Sequence, residues 1–326
     1  MLADETIATF WAAWPDIRKT LEQDLDEGEY GEGTELLTDA VEAIHADLEW
    51  ELREGRQAAT ALCLSSGDPR LRPLAQRWVD AAPAADDRWE FHPARTPVGP
   101  EVFEIDGLEI DPTEAQFSAE LDPDAEHLSV VVAHPEFRGL DDANRFQATF
   151  RMVDDLLGED GTEMWIGSVD ATPIVPHHAS PLTDLPRMVE ELSATASRER
   201  WVIFEDEDPY DPSSLDINLA LKRLHHVYAT DYVGANLRFD DEHGRAAPAD
   251  DDARTLEAVE AELLAALGDR GVEFARGLFP GILVLHLYVE PEATPIVEDW
   301  ARRHQTIVYH LDIESDPSWE HMHDLY

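Results

Sequence analysis

Lysine is nearly missing from this chain. Lys19 and Lys222 are the only two in 326 residues, and the other basic residues are arginine. The 24 basic side chains face 71 Asp and Glu, a formal net charge of -47. A surface so poor in positive charge repels phosphate, which excludes nucleic acid and anionic membranes as partners. Cysteine is as scarce. Cys63 stands alone, so no intramolecular disulfide can form and no cysteine-rich zinc site can be built. Long apolar runs are absent too, with no window near the ~20 residues that span a bilayer. The opening MLADETIATFW carries acid where a leader carries base, so a cytoplasmic location is expected.

Several reaction signatures are also missing. There is no G-x-x-x-x-G-K-[ST] and no G-x-G-x-x-G after a strand, which disfavours most nucleotide chemistry. Gly167-Ser168 lacks the second glycine of a nucleophile elbow, and no H-E-x-x-H is present. No cofactor is expected.

What the chain does have is a folded composition. Apolar residues make up 43 % and aromatics 8 %, with nine Trp spread along the length. Disordered acidic chains lack such residues. The length suggests about two domains. Two readings of the acidity stand side by side. Carboxylates dispersed over the whole surface hold hydration in a salty cytoplasm, or one acidic face meets a basic partner.

Periodicity gives the elements. Ile7, Phe10, Trp11, Trp14 and Ile17 form an amphipathic stripe with Asp4 as a candidate N-cap, and Pro15 is expected to kink or restart that helix. A second helix follows over 34–46. Strands are expected at 48–53, 58–64 and 89–92, with a helix over 70–82 between the last two. A hairpin turns at Asp106-Gly107. Strands at 116–121 and 127–134 precede a helix over 141–157, with Phe146, Phe150, Val153 and Leu157 on one apolar stripe, and a closing strand over 162–169. The Pro-rich stretch 171–184 reads as a linker. The second half predicts a helix over 184–197, a strand at 201–204, and then strand 227–239, helix 253–267, strands 272–275 and 282–289, helix 291–303 and strand 305–313. Each half thus spells β-α-β-β-α-β. The expected fold is α+β, two tandem ferredoxin-like α/β sandwiches with extra N-terminal helices, divided into residues 1–175 and 176–326.

The closing residues Asp316-Pro317-Ser318-Trp319 and Leu325-Tyr326, with the helix and strand order before them, resemble a bacterial family, domain of unknown function 695, over roughly 225–326. The resemblance implies no catalytic residue, because that family carries no activity to transfer.

Candidate chemistry is sparse. Cys63 lies in the apolar run ALCL and reads as a small buried hydrophobe. His177-His178 and His225-His226 are paired in sequence. His310 and Asp312 share a strand face and are weak candidates for a metal, whereas His321 and His323 diverge if the tail is helical. Asp154-Asp155, Asp240-Asp241 and Asp250–Asp252 read as solvated acids at helix ends or in loops, as does the loop DPYDPSS, which lacks EF-hand spacing. Trp11, Trp14, Trp78, Trp165 and Trp300 are expected to be packing residues. Trp319, His321, Met322 and Tyr326 form an aromatic tail, either a lid over the sheet or a docking patch, with Trp319, His321 and Tyr326 the candidate interaction residues. The expected role is a non-enzymatic protein-binding or regulatory module, with an acidic inhibitor or immunity-type protein that meets a basic partner as its specific version. A metal-dependent hydrolase using the His-rich C-terminal region and a structural oligomer subunit, such as a homodimer, are the alternatives.

Overall fold

The structure, a computed structural model, describes residues 2–28, 31–197, 199–206, 213–241 and 248–325. It is a mixed α+β protein in two compact units, residues 1–121 with 127–194 and residues 122–126 with 195–326. No helix among the described residues is long and apolar enough to cross a membrane.

Unit 1 opens with α1 (Leu2–Glu27) and α2 (Glu32–Glu42). Helix α1 runs through Pro15 without a break, and Asp4 lies within its first turn instead of capping it. Pro15 sits on the exposed side, where the carbonyl its ring leaves unpaired can be hydrated. The opposite face buries Ile7, Phe10, Trp14, Ile17 and Leu21. These residues cover a three-stranded sheet of β1 (Glu49–Glu54), β2 (Thr60–Ser65) and β3 (Trp89–His92). Strands β1 and β2 are antiparallel. Strands β2 and β3 are parallel, and the crossover this requires carries α3 (Arg72–Asp80). Trp14 meets Trp89 edge to face at 5.2 Å, and Trp11 stacks on Trp78 at 4.8 Å and donates its indole N–H to the Trp78 carbonyl.

After the hairpin of β4 (Phe103–Ile105) and β5 (Leu108–Ile110) comes a second sheet. It contains β6 (Gln116–Asp122), β7 (His127–Ala133), β8 (Ile166–Thr172) and β9 (Ser180–Pro181) in the order β8-β7-β6-β9. Strands β7 and β8 are parallel, joined by α4 (Asp142–Trp165). The helix ends eight residues later than the stripe predicts, at Trp165, so the last strand starts at Ile166, not at 162. Among the described residues unit 1 therefore places its strands in three separate sheets, the β4–β5 hairpin and two larger sheets that each hold a parallel pair, and not in one sheet of β-α-β-β-α-β order.

The sequence reading divides the chain at 175/176. The passage between units falls after Ala194, because Ser180 pairs with Phe117 and the following α5 (Leu185–Thr195) buries Leu185 and Val189.

Unit 2 is one six-stranded antiparallel sheet. Its strands are β10 (Trp201–Asp206), β11 (Ser213–Asn218), β12 (Asp231–Arg238), β13 (Gly271–Phe279), β14 (Ile282–Val289) and β15 (Val308–Ser315), in the order β10-β11-β13-β14-β12-β15. Helices α6 (Asp250–Leu267) and α7 (Thr294–Arg303) cover one face, where Leu256, Leu263, Val297 and Trp300 meet Val233, Ala235, Leu285 and Leu287. The Trp300 indole donates to the Val259 carbonyl at 2.8 Å. The other face carries Tyr232, His286 and Tyr288, and the chain ends over it in the short helix α8 (Glu320–Asp324).

Candidate functional site

The site starts from one glycine. Gly158 breaks α4 with φ 73 and ψ 166, a combination essentially confined to glycine. A Cβ there would lie 2.7 Å from the Arg95 carbonyl oxygen and 2.9 Å from Pro97 Cδ. The break lets the segment 95–99 dock along the helix. Val98 and Gly99 donate their N–H groups to the Asp155 carbonyl at 2.9 and 3.0 Å, and Glu159 donates to the Arg95 carbonyl at 3.1 Å.

This docking gathers charge around a cleft of about 530 Å³ lined by Glu51, Arg53, Arg95, Glu101, Asp154 and Asp155. Arg95 Nε reaches Glu159 at 2.7 Å and its Nη2 reaches Asp154 at 3.2 Å. Arg53 is buried, donates to the Thr96 carbonyl and meets Glu51 at 3.0 Å, and its Nε has no partner among the described residues. Arg151 lies 4.3 Å over the Phe103 ring and 3.5 Å from Asp155. Each guanidinium is thus committed to its own acids. Burial raises the Asp154 carboxyl to about 6, helped by Glu159 and Asp155 and opposed by Arg95. Burial works against the Arg95 guanidinium, yet Glu159 and Asp154 raise it on balance. A perturbed carboxyl in a cleft is the usual physical mark of a functional position.

On the rim, Phe146 and Phe150 stack with ring centroids 6.4 Å apart while 52 % and 44 % exposed. Of the predicted apolar stripe, only Val153 and Leu157 are buried. Asp154 and Asp155, read as solvated, are buried within α4. Sequence reasoning missed the cleft. Its signal was the pair Gly158 and Gly161 inside a helical pattern, which marks a break, directly after two adjacent acids.

The residues singled out from the sequence lie elsewhere. Asp316 accepts from the Tyr288 hydroxyl at 2.6 Å and from the N–H groups of Glu320 and His321, both at 3.0 Å. Burial works against its charge, but these donors hold the carboxyl below its ordinary value. Trp319 is 2 % exposed, lies parallel to Tyr288 at 4.2 Å and donates to the Ala229 carbonyl at 2.8 Å. His321 stacks on Tyr232 at 3.8 Å and pairs with Glu314. Tyr326 lies outside the described residues. His310 and Asp312 share a face of β15, both exposed, opposite Asn236 and Gly234. Among the described residues no three His, Cys, Asp or Glu side chains are grouped to hold a metal ion. Cys63 is buried, and burial raises its thiol. Much of the DPYDPSS loop lies outside the described residues.

Compared with family models, curated proteins and solved structures, the chain matches none.

Proposed function

We propose that this chain is a protein-binding module of regulatory type, and that the cleft of unit 1 takes a basic side chain of its partner. One observation carries the reading: two exposed, stacked phenylalanine rings stand beside a cleft whose four carboxylates, Glu51, Glu101, Asp154 and Asp155, outnumber its three guanidiniums, Arg53, Arg95 and Arg151. A guanidinium or ammonium is drawn to an aromatic face, and carboxylates within reach supply the counter-charge. Phe146 and Phe150 offer the faces. Glu101, exposed and without an arginine partner among the described residues, offers free charge, while Glu51, Asp154 and Asp155 share theirs with Arg53, Arg95 and Arg151. The net charge of -47 speeds the approach of such a partner and makes it salt-sensitive.

The test is a titration with an acetylated Arg-Leu-Arg peptide at low salt. Phe146→Ala with Phe150→Ala weakens binding by about tenfold, the worth of two exposed cation–π contacts. Asp251→Asn with Asp252→Asn, on α6 of unit 2, changes it less than twofold. Equal losses in the two variants would mean that diffuse charge does the work, and the reading fails.

The same proposal reads 231–315 as a ferredoxin-like sandwich, since β12-α6-β13-β14-α7-β15 with strand order β13-β14-β12-β15 is that arrangement, extended by β10 and β11. Kinship of roughly 225–326 with domain of unknown function 695 rests on the Asp316-Pro317-Ser318-Trp319 stretch and the final Leu325-Tyr326.

A further inference from the structure

The helix-free face of the unit 2 sheet has a trough. Its floor follows from register. Leu215 pairs with Gly277, and Gly277 pairs with Val284, so these three form one row across β11, β13 and β14. The next row on the same face is Ile217, Ala275 and His286. Small residues at Ala275 and Gly277 leave the middle strand low between larger neighbours. Phe279 lies back over Gly277, where a Cβ would come 2.7 Å from its ring. Phe204, opposite Leu215 on β10, continues the row. The resulting groove holds about 620 Å³ and is lined by Phe204, Leu215, Phe279, Val284, His286 and Leu325 among others.

One polar group in it is set up as a donor. The Tyr232 hydroxyl lies 2.8 Å from His286 Nδ1. With the phenol donating, the imidazole is the Nε2–H tautomer. Nε2 lies on the other edge of the ring and has no protein acceptor among the described residues. Burial and the nearby His321 hold His286 down to about 4, so the ring is neutral at ordinary pH. The groove therefore offers aromatic and aliphatic walls, an uncharged imidazole N–H, the two serines Ser213 and Ser214 on the β11 side, and no cation among its described lining residues. Glu205 stands at its margin in a chain of net charge -47, which disfavours an anion.

We infer that this groove is a second binding site, for a small uncharged aromatic molecule bearing one hydrogen-bond acceptor, which the His286 Nε2–H meets while Phe204, Phe279 and Val284 enclose the ring. Groove volume and lining fit the usual small-molecule pattern of apolar walls with few polar groups. The site is independent of the cleft in unit 1.

Quinoline and naphthalene share a shape and differ by one ring nitrogen, so they isolate the acceptor. Both are titrated at pH 7.5 into the full chain and followed by backbone amide NMR. Quinoline binds about fivefold tighter than naphthalene, the worth of one neutral hydrogen bond, and the shifts centre on Leu215, Gly277, Val284 and His286. His286→Phe makes the two equal. Gly277→Val displaces the Phe279 ring that lies over it, removes that wall of the groove and weakens both. Equal affinities in the parent chain, or shifts centred elsewhere, overturn the assignment, and that comparison stands even if a variant fails to fold.

Discussion

Replacing Gly158 with alanine puts a methyl group where the docked segment 95–99 leaves no room for it. The backbone there, at φ 73 and ψ 166, strains any residue with a Cβ by about 1–3 kcal/mol. The methyl would also lie 2.7 Å from the Arg95 oxygen and 2.9 Å from Pro97 Cδ, neither the free end of a flexible side chain. Something must shift, and the segment 95–99 is what can. Moving it breaks the bonds from Val98 and Gly99 to Asp155 and from Glu159 to Arg95. Three backbone bonds at roughly 1 kcal/mol each bring the total to about 4–6 kcal/mol. For a unit of this size that lowers the melting temperature by about 10 °C or more. Two units need not melt together, so calorimetry should be read transition by transition. Hydrogen exchange at the Val98 and Gly99 amides follows the docked segment directly. Gly161 is the control. It lies in the same helix without positive φ, its added Cβ would meet only the Leu157 Cβ at 3.2 Å, and Gly161→Ala is expected within about 1 kcal/mol of the parent. A Gly158→Ala chain that melts within 2 °C of the parent, with amide protection at 98 and 99 retained, would refute the reasoning.

Trp319 has φ 60, so Trp319→Gly should be less destabilising than Trp319→Ala by up to about 1 kcal/mol, reversing the usual order, while both lose about 3–5 kcal/mol of packing in urea melts. Glu90 accepts from the N–H groups of Arg56, Gln57 and Ala58; burial raises its carboxyl, but these bonds and His92 outweigh that and bring it to about 2. Its contribution is present above the ordinary value of 4.5 and is lost as pH falls through about 2, so Glu90→Gln should flatten the acid limb of the unit 1 stability profile. Glu260 is the opposite case: burial first, then Glu273, raise it to about 7 against the pull of Arg276. Its contribution is full below 4.5 and lost as pH rises through about 7, on the order of 3 kcal/mol, so Glu260→Gln should remove that decline from unit 2 melting curves.

The sequence makes some of this plain and hides the rest for physical reasons. Strong periodicity located β14 and the Leu256-Val259-Leu263 face of α6, because burial on one side leaves a repeat that can be read directly. Element order was legible from β12 to β15, whereas β11, a short strand whose start falls in the Pro- and Asp-rich stretch read as a loop, was missed. The same grammar misled in the first half, since order alone does not say which strands share a sheet, and β3 pairs with β2 while β6 pairs with β9. Phe146 and Phe150 show the limit of stripe reading. They continue the stripe of Val153 and Leu157, but the buried face of the helix there runs through Ala148, Thr149 and Met152, and the rings stay at the surface. Asp154 and Asp155 could not be picked from 71 acids, because what buries them is a segment 55–60 residues earlier, docked through Gly158.

The affinity of the Arg-Leu-Arg peptide as a function of pH bears most directly on the proposed role. A cation seated in the cleft needs Asp154 ionised, and that carboxyl titrates near 6. Below that value it is neutral and attracts little; above it the charge is present. Affinity should therefore rise about tenfold from pH 5 to pH 7 in the parent chain, and Asp154→Asn should change less than twofold over the same range. A parent chain with no such rise, or an Asp154→Asn chain with the same rise, would contradict the account.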